Sequence, residues 1–79
     1  MRKYSNEELN EIICNKCGQK MKVKDGILRD GCFHVDYPWG YFSKKDGIIH
    51  HFDLCEECYD KWITTFTVPV EEAEANELL

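Results

Sequence analysis

"LCEECYDKW", residues 54–62, decides how this chain folds. It sets Cys55 and Cys58 two residues apart, at the point where an amphipathic helix is expected to begin. Asp53, just ahead, is a candidate N-cap, and Glu56 three residues on completes capping-box spacing. A helix is therefore expected from Leu54 to about Thr64, burying Leu54, Cys58, Trp62 and Ile63. Upstream, "CNKCGQK" at 14–20 repeats the spacing with Cys14 and Cys17. Gly18 can take the left-handed conformation that turns backbone amides toward sulfur in a tight knuckle.

Four sulfurs so arranged can form one metal site, two redox pairs or a disulfide framework. The chain has 79 residues and five cysteines, an odd number that argues against a purely disulfide framework. Residues 1–14, "MRKYSNEELNEIIC", hold no apolar core of a secretory signal, and no run of about 18 apolar residues occurs anywhere. The expectation is a cytoplasmic protein in a reducing compartment, where paired Cys-x-x-Cys motifs more often mean metal. A thioredoxin-type pair needs a βαβ setting and neighbours that lower a thiol pKa. Cys55 and Cys58 instead flank Glu56 and Glu57, whose charge opposes thiolate unless a cation is present. Zinc accepts four thiolates in a tetrahedron, and each Cys-x-x-Cys bites the ion from one turn. A helix N-terminus at Cys55 also favours the thiolate through its exposed amides. The reading is one structural zinc held by Cys14, Cys17, Cys55 and Cys58.

Size agrees with that need. A single domain over 1–79, with its core in 14–64 and a tail from 65 to 79, buries too little apolar surface to be stable without a staple. Hydrophobic residues at 43% still exclude a disordered polymer. The formal net charge of −5 grows more negative when four thiolates bind one divalent ion, which works against phosphate backbones.

Along the rest of the chain, Ser5 and Glu8 have capping-box spacing, and Leu9, Ile12 and Ile13 can share a helical face. A short N-terminal helix is expected from about Asn6 to Ile12. Asp-Gly pairs at 25–26, 30–31 and 46–47 are turn signals between the β-like runs "QKMKVK", "CFHV", "WGYFS" and "IIHHFD". The last two, joined by "KKDG", form the clearest hairpin. "TTFTV" after the helix reads as extended. Pro69 then opens an acidic tail that can start a helix, and its glutamates 71, 72, 74 and 77 read as a solvated face.

A knuckle pair, a hairpin and a second pair opening a helix, carried by "CNKCG" and "DLCEECYDKWI", resemble the treble-clef zinc finger from Cys14 to about Ile63. The resemblance implies a small α+β fold: zinc knuckle, β-hairpins and C-terminal helix. It implies no activity. The wider pattern "WGYFSKKDG…HHFDLCEECYDKWI" is similar to small bacterial proteins with a treble-clef core, again with no activity to carry over.

Cys32 and His34, "CFH", have ligand-like spacing but no second pair to complete a site, so they read as a buried thiol and a strand histidine on one face. His50 and His51 point to opposite faces of a strand. A ββα-metal nuclease needs an Asp-His on the hairpin and a histidine in the following helix. "IIHHFD" has the wrong order, and no histidine follows Cys58. Of the aromatics, Trp39 and Tyr41 are candidates for a protein-binding patch and the others for a miniature core.

The function expected is a non-catalytic, zinc-stabilised protein-interaction module with a protein partner. No enzymatic site, non-specific nucleic-acid binding or membrane contact is expected. The alternative is a nucleic-acid-associated role, through a basic patch around Lys16, Lys20, Lys22 and Lys24 or as an acidic mimic that blocks a DNA-binding protein. "TTFTVPV", lacking an evident strand partner, is expected either to fold back on the hairpin that includes "IIHHFD" or to pair with its copy in a second chain. The small size of the core favours the homodimer.

Overall fold

A computed structural model describes residues 1–75. Its strands run β1 (Arg2–Ser5), β2 (Glu8–Ile13), β3 (Lys20–Met21), β4 (Val23–Lys24), β5 (Ile27–Leu28), β6 (Cys32–Pro38) and β7 (Ile49–Cys55), before one helix, α1 (Glu56–Ile63). β1, β2 and β3 form an antiparallel sheet, while β4–β5 and β6–β7 are two-stranded ribbons. This is a small α+β protein of hairpins with one C-terminal helix.

The N-terminal segment is a hairpin and not the expected helix. Asn6 and Glu7 have φ of 52° and 66°, the left-handed pair that a two-residue turn between right-twisted strands requires. Pairing runs Ser5↔Glu8, Tyr4↔Leu9, then Lys3↔Glu11 and Arg2↔Ile12. The register skips Asn10, a β-bulge that reverses which face the following residues take. Leu9 and Ile12, three apart, thereby both reach the core. Spacing of three is a helical signature in sequence, and here a bulged strand satisfies it. Ile12 then pairs with Met21 of β3, burial that an isolated short helix would not supply.

The long hairpin also differs from expectation. "IIHHFD" pairs with "CFHVDYP", in register from Cys32↔Cys55 to Pro38↔Ile49, and "WGYFS" lies in the connection. Pro38 lacks an N–H and suits a strand end. Beyond it the chain closes on itself: Trp39 N–H donates to Ile48 O, Ser43 N–H to Gly40 O and Ile48 N–H to Lys45 O. Local turns satisfy these groups, so the aromatic β-propensity of "WGYF" is overridden.

α1 starts at Glu56, with Cys55 as its N-cap and no side-chain cap. Asp53, the expected N-cap, and Leu54, the expected helix start, both belong to β7. The far end is closed by hydroxyls: Thr64 Oγ1 donates to Lys61 O and Thr65 Oγ1 to Trp62 O, satisfying carbonyls a helix end leaves bare. "TTFTV" continues as turns and bends, not as a strand, and residues 69–75 contain no helix. Glu77 lies outside the described residues. Trp62 is only partly covered, against Phe33 and Phe66.

The core centres on Ile12, Cys14, Met21, Leu54 and Cys58, with Leu9, Val23, Leu28 and Phe52 around it. It draws on β2, upstream of Cys14, as well as on the segment between the cysteine pairs.

The hairpin turn is testable through Glu7, a non-glycine residue at positive φ. Glu7→Gly should stabilise the metal-loaded protein by about 0.5–1 kcal/mol, because left-handed backbone costs an L-residue about 1–2 kcal/mol and glycine's extra chain entropy offsets part of that. In a helix over 6–12 the same change would destabilise by about 1 kcal/mol. Denaturant unfolding reads the sign.

Candidate metal centre

β2 delivers Cys14 into the knuckle, where Cys14 N–H donates to Gln19 O and Gly18 N–H to Cys14 O, both at 2.9 Å. Gly18 sits at φ 80°, the conformation that closes this turn without a Cβ penalty. Cys17 N–H points at Cys14 Sγ, 3.5 Å away. β7 delivers Cys55, and the first turn of α1 delivers Cys58. All four Sγ atoms lie within 4.8 Å of one another, and Cys17 and Cys55 sulfurs are 3.9 Å apart. A tetrahedral ion with sulfur bonds of about 2.3 Å would set its ligands about 3.8 Å apart. The four cysteines are thus positioned to hold a metal ion, and the all-sulfur donor set is consistent with a four-thiolate zinc site.

The two halves are fastened next to the sulfurs. Asn15 N–H donates to Asp53 O at 2.8 Å, and Asp53 N–H donates to Asn15 Oδ1 at 3.0 Å. A residue inside the first Cys-x-x-Cys is therefore bonded to the strand that ends in the second.

Electrostatics of the sulfurs point the same way. Burial opposes ionisation of Cys14, but backbone N–H groups of Cys17, Cys55 and Lys16 aimed at its sulfur outweigh it and bring its pKa down to about 6. Cys58 is pushed up to about 12, first because its thiol bonds to Cys55, then by burial and by the neighbouring Cys17 and Cys14 sulfurs. Four adjacent sulfurs cannot all ionise without positive charge among them. A divalent cation resolves that conflict, and protons compete with it for the same atoms.

Beside the sulfurs lies a polar network that sequence reasoning missed. Asp53 is buried, with 2% of its surface exposed. Its Oδ1 lies 2.7 Å from His34 Nδ1, 3.1 Å from Arg2 Nε and 3.5 Å from Cys32 Sγ, while Oδ2 lies 3.0 Å from the Met1 amine. His34 Nε2 continues to Asp36 Oδ2 at 3.0 Å, and the other Asp36 oxygen meets His51 Nδ1 at 2.6 Å. Cys32 and His34 do share one face, with Asp53 as common partner, and stand outside the four-sulfur group. Burial, then Asp53, raises the Cys32 pKa, so it stays a thiol. His50 faces the other way, accepting a bond from Trp39 Nε1 at 3.1 Å. The available signal is the alternation of His34 and Asp36 with His51 and Asp53, which becomes a ladder only when β6 and β7 pair.

The chain matches no protein-family model, and no curated protein or solved structure is significantly similar to it.

Burial works against the Asp53 carboxylate, but His34, the Met1 amine and Arg2 prevail and lower its pKa from the usual 3.8 to about 2. Because the folded-state value lies below the unfolded one, the contribution is complete above about pH 4 and is lost as pH falls toward 2. At neutral pH it amounts to about 2 kcal/mol. Asp53→Asn should therefore cost at least about 2 kcal/mol in chemical unfolding at pH 7, leaving buried donors without their charge partner. Asp36→Asn, on the solvent side of the same ladder, should cost much less. Equal losses for the two would refute Asp53 as the hub.

Proposed function

We propose that the chain is a zinc-stabilised, non-catalytic protein-interaction module, in which a structural metal holds a treble-clef-like frame. The observation that carries this reading is the convergence of Cys14, Cys17, Cys55 and Cys58 at the junction of knuckle, hairpin and helix. Four protein sulfurs complete a tetrahedron and leave no position for a substrate or an activated water, the arrangement of structural rather than catalytic zinc. Thiolate ligation suits the reducing compartment expected of a cytoplasmic protein.

The interaction part rests on the far end of the β6–β7 hairpin. Tyr41 and Phe42 are 82% and 96% exposed, and Tyr37, Ile48 and Ile49 beside them are about half exposed. Exposed aromatic and aliphatic groups gathered on the loop and the strand ends that carry it suit a contact surface rather than a core. Of the lysines a nucleic-acid role would use, Lys20 is already ion-paired with Glu11 at 2.8 Å.

Protein purified without added metal should carry about one equivalent of zinc per chain. Cobalt substitution should show the absorption of a tetrahedral thiolate site. Cys55→Ser should abolish cooperative thermal unfolding, since metal-binding energy in so small a domain is folding energy. Cys32→Ser should retain the full equivalent. Phe42→Glu should keep both metal content and melting temperature, because an almost wholly exposed ring adds nothing to the core. A Cys55→Ser protein that melts like wild type sinks the metal reading. A Phe42→Glu protein that melts several degrees lower sinks the assignment of the tip as a contact surface.

A further inference from the structure

The loop from Trp39 to Ile48 is ordered by its own bonds, yet it spends its most apolar side chains on solvent. Besides its backbone turns, Lys45 N–H donates to Ser43 Oγ at 2.9 Å, Trp39 Nε1 is held by His50, and Tyr37 packs edge-on against Trp39 at 5.0 Å. Lys45 Nζ lies 4.3 Å from the centre of the Trp39 ring. Tyr41 and Phe42 pack edge-on against each other at 5.1 Å. A loop held by its own hydrogen bonds and presenting exposed aromatics has less to order on binding than an unbonded one. It carries Lys44 and Lys45, neither of which has an ion-pair partner among the described residues.

A second feature has the opposite character. At the C-terminal end of α1 and beyond it, Ile63, Thr64, Phe66, Pro69, Val70 and Glu72 line a groove of about 310 Å³. Its walls are mostly apolar, Phe66 and Val70 are each 39% exposed, Glu72 lines it, and the exposed Glu71 and Glu74 flank Glu72 in the chain. These carboxylates also have no ion-pair partner among the described residues. One feature is an aromatic knob flanked by unpaired cations. The other is an apolar groove flanked by unpaired anions.

We infer that the occupant of the groove is the hairpin tip of a second copy of this chain, with Phe42 entering it and Lys44 and Lys45 meeting Glu71 and Glu72. This rests on the reading of the tip as a contact surface and names its partner. The contact joins two different patches, so it is heterologous and head-to-tail, and each copy keeps one knob and one groove for further neighbours unless a ring closes. It is a different contact from strand pairing through "TTFTVPV", a segment that in the single chain forms turns and bends. Anionic lipid or nucleic acid would answer the lysines but would leave the apolar groove empty.

The test uses the full zinc-loaded chain in sedimentation and light scattering over a wide concentration range. Wild type should gain mass with concentration. Phe42→Glu, Lys44→Glu/Lys45→Glu and Glu71→Lys/Glu72→Lys should each weaken association about tenfold or more. Mixing the two charge-reversed proteins should restore it, because each reversed patch then meets its complement. Zinc content and melting temperature of every variant report separately on the fold, so loss of either counts against the module and not against the docking. A wild type that stays monomeric with its zinc in place overturns self-docking, as does a mixture that fails to associate. Binding of the monomer to phosphatidylserine vesicles or to a single-stranded oligonucleotide through Phe42 would assign the tip to that surface and overturn it equally.

Discussion

Two of the buried side chains, Cys14 and Cys58, belong to the four-sulfur group and to the hydrophobic core at once. Centre and core are therefore not separable in this protein. Ile12 and Met21 approach Leu54 only if the knuckle that follows β2 stays against the end of β7. With so few large apolar residues enclosed, burial alone gives a weak guarantee of that contact. A metal held by sulfurs from both segments would supply it, and the Asn15–Asp53 pair of bonds adds to it.

The Asp53 network extends the same fastening outward. β1 is peripheral to the core, and Arg2 reaches back from it to the buried carboxylate. His34 ties β6 to the same oxygen. One acid thus connects three strands beside the four-sulfur group, and burial makes its partners obligatory, because an isolated charge there would be costly. The far end of the hairpin has no such constraint. Its loop satisfies its own backbone and leaves aromatic side chains outside, which is why the buried fastening and the exposed aromatics sit at opposite ends of β6–β7.

The parts legible in the sequence are those that depend on short-range chemistry. Both Cys-x-x-Cys pairs come together, and a helix opens at the second. Asp25-Gly26 does turn between β4 and β5. The N-terminal segment misleads because Leu9 and Ile12 lie at a spacing shared by a helix and a bulged strand. Nothing local separates the two; the pairing of Ile12 with Met21 does. The hairpin misleads as to its partner because "WGYFS" has the composition of a strand, whereas "CFHVDYP" has the matching register.

What the sequence determined by itself was the donor set: four thiols in two local bites, a number and spacing that suit one tetrahedral ion whatever lies between them. Tertiary structure alone decided the role of Asp53. As a residue before a helix it looked like a cap, but its partners Arg2 and His34 are 51 and 19 positions away. A side chain's ionic partners depend on which strands are paired, and pairing is a long-range property that no window around Asp53 contains.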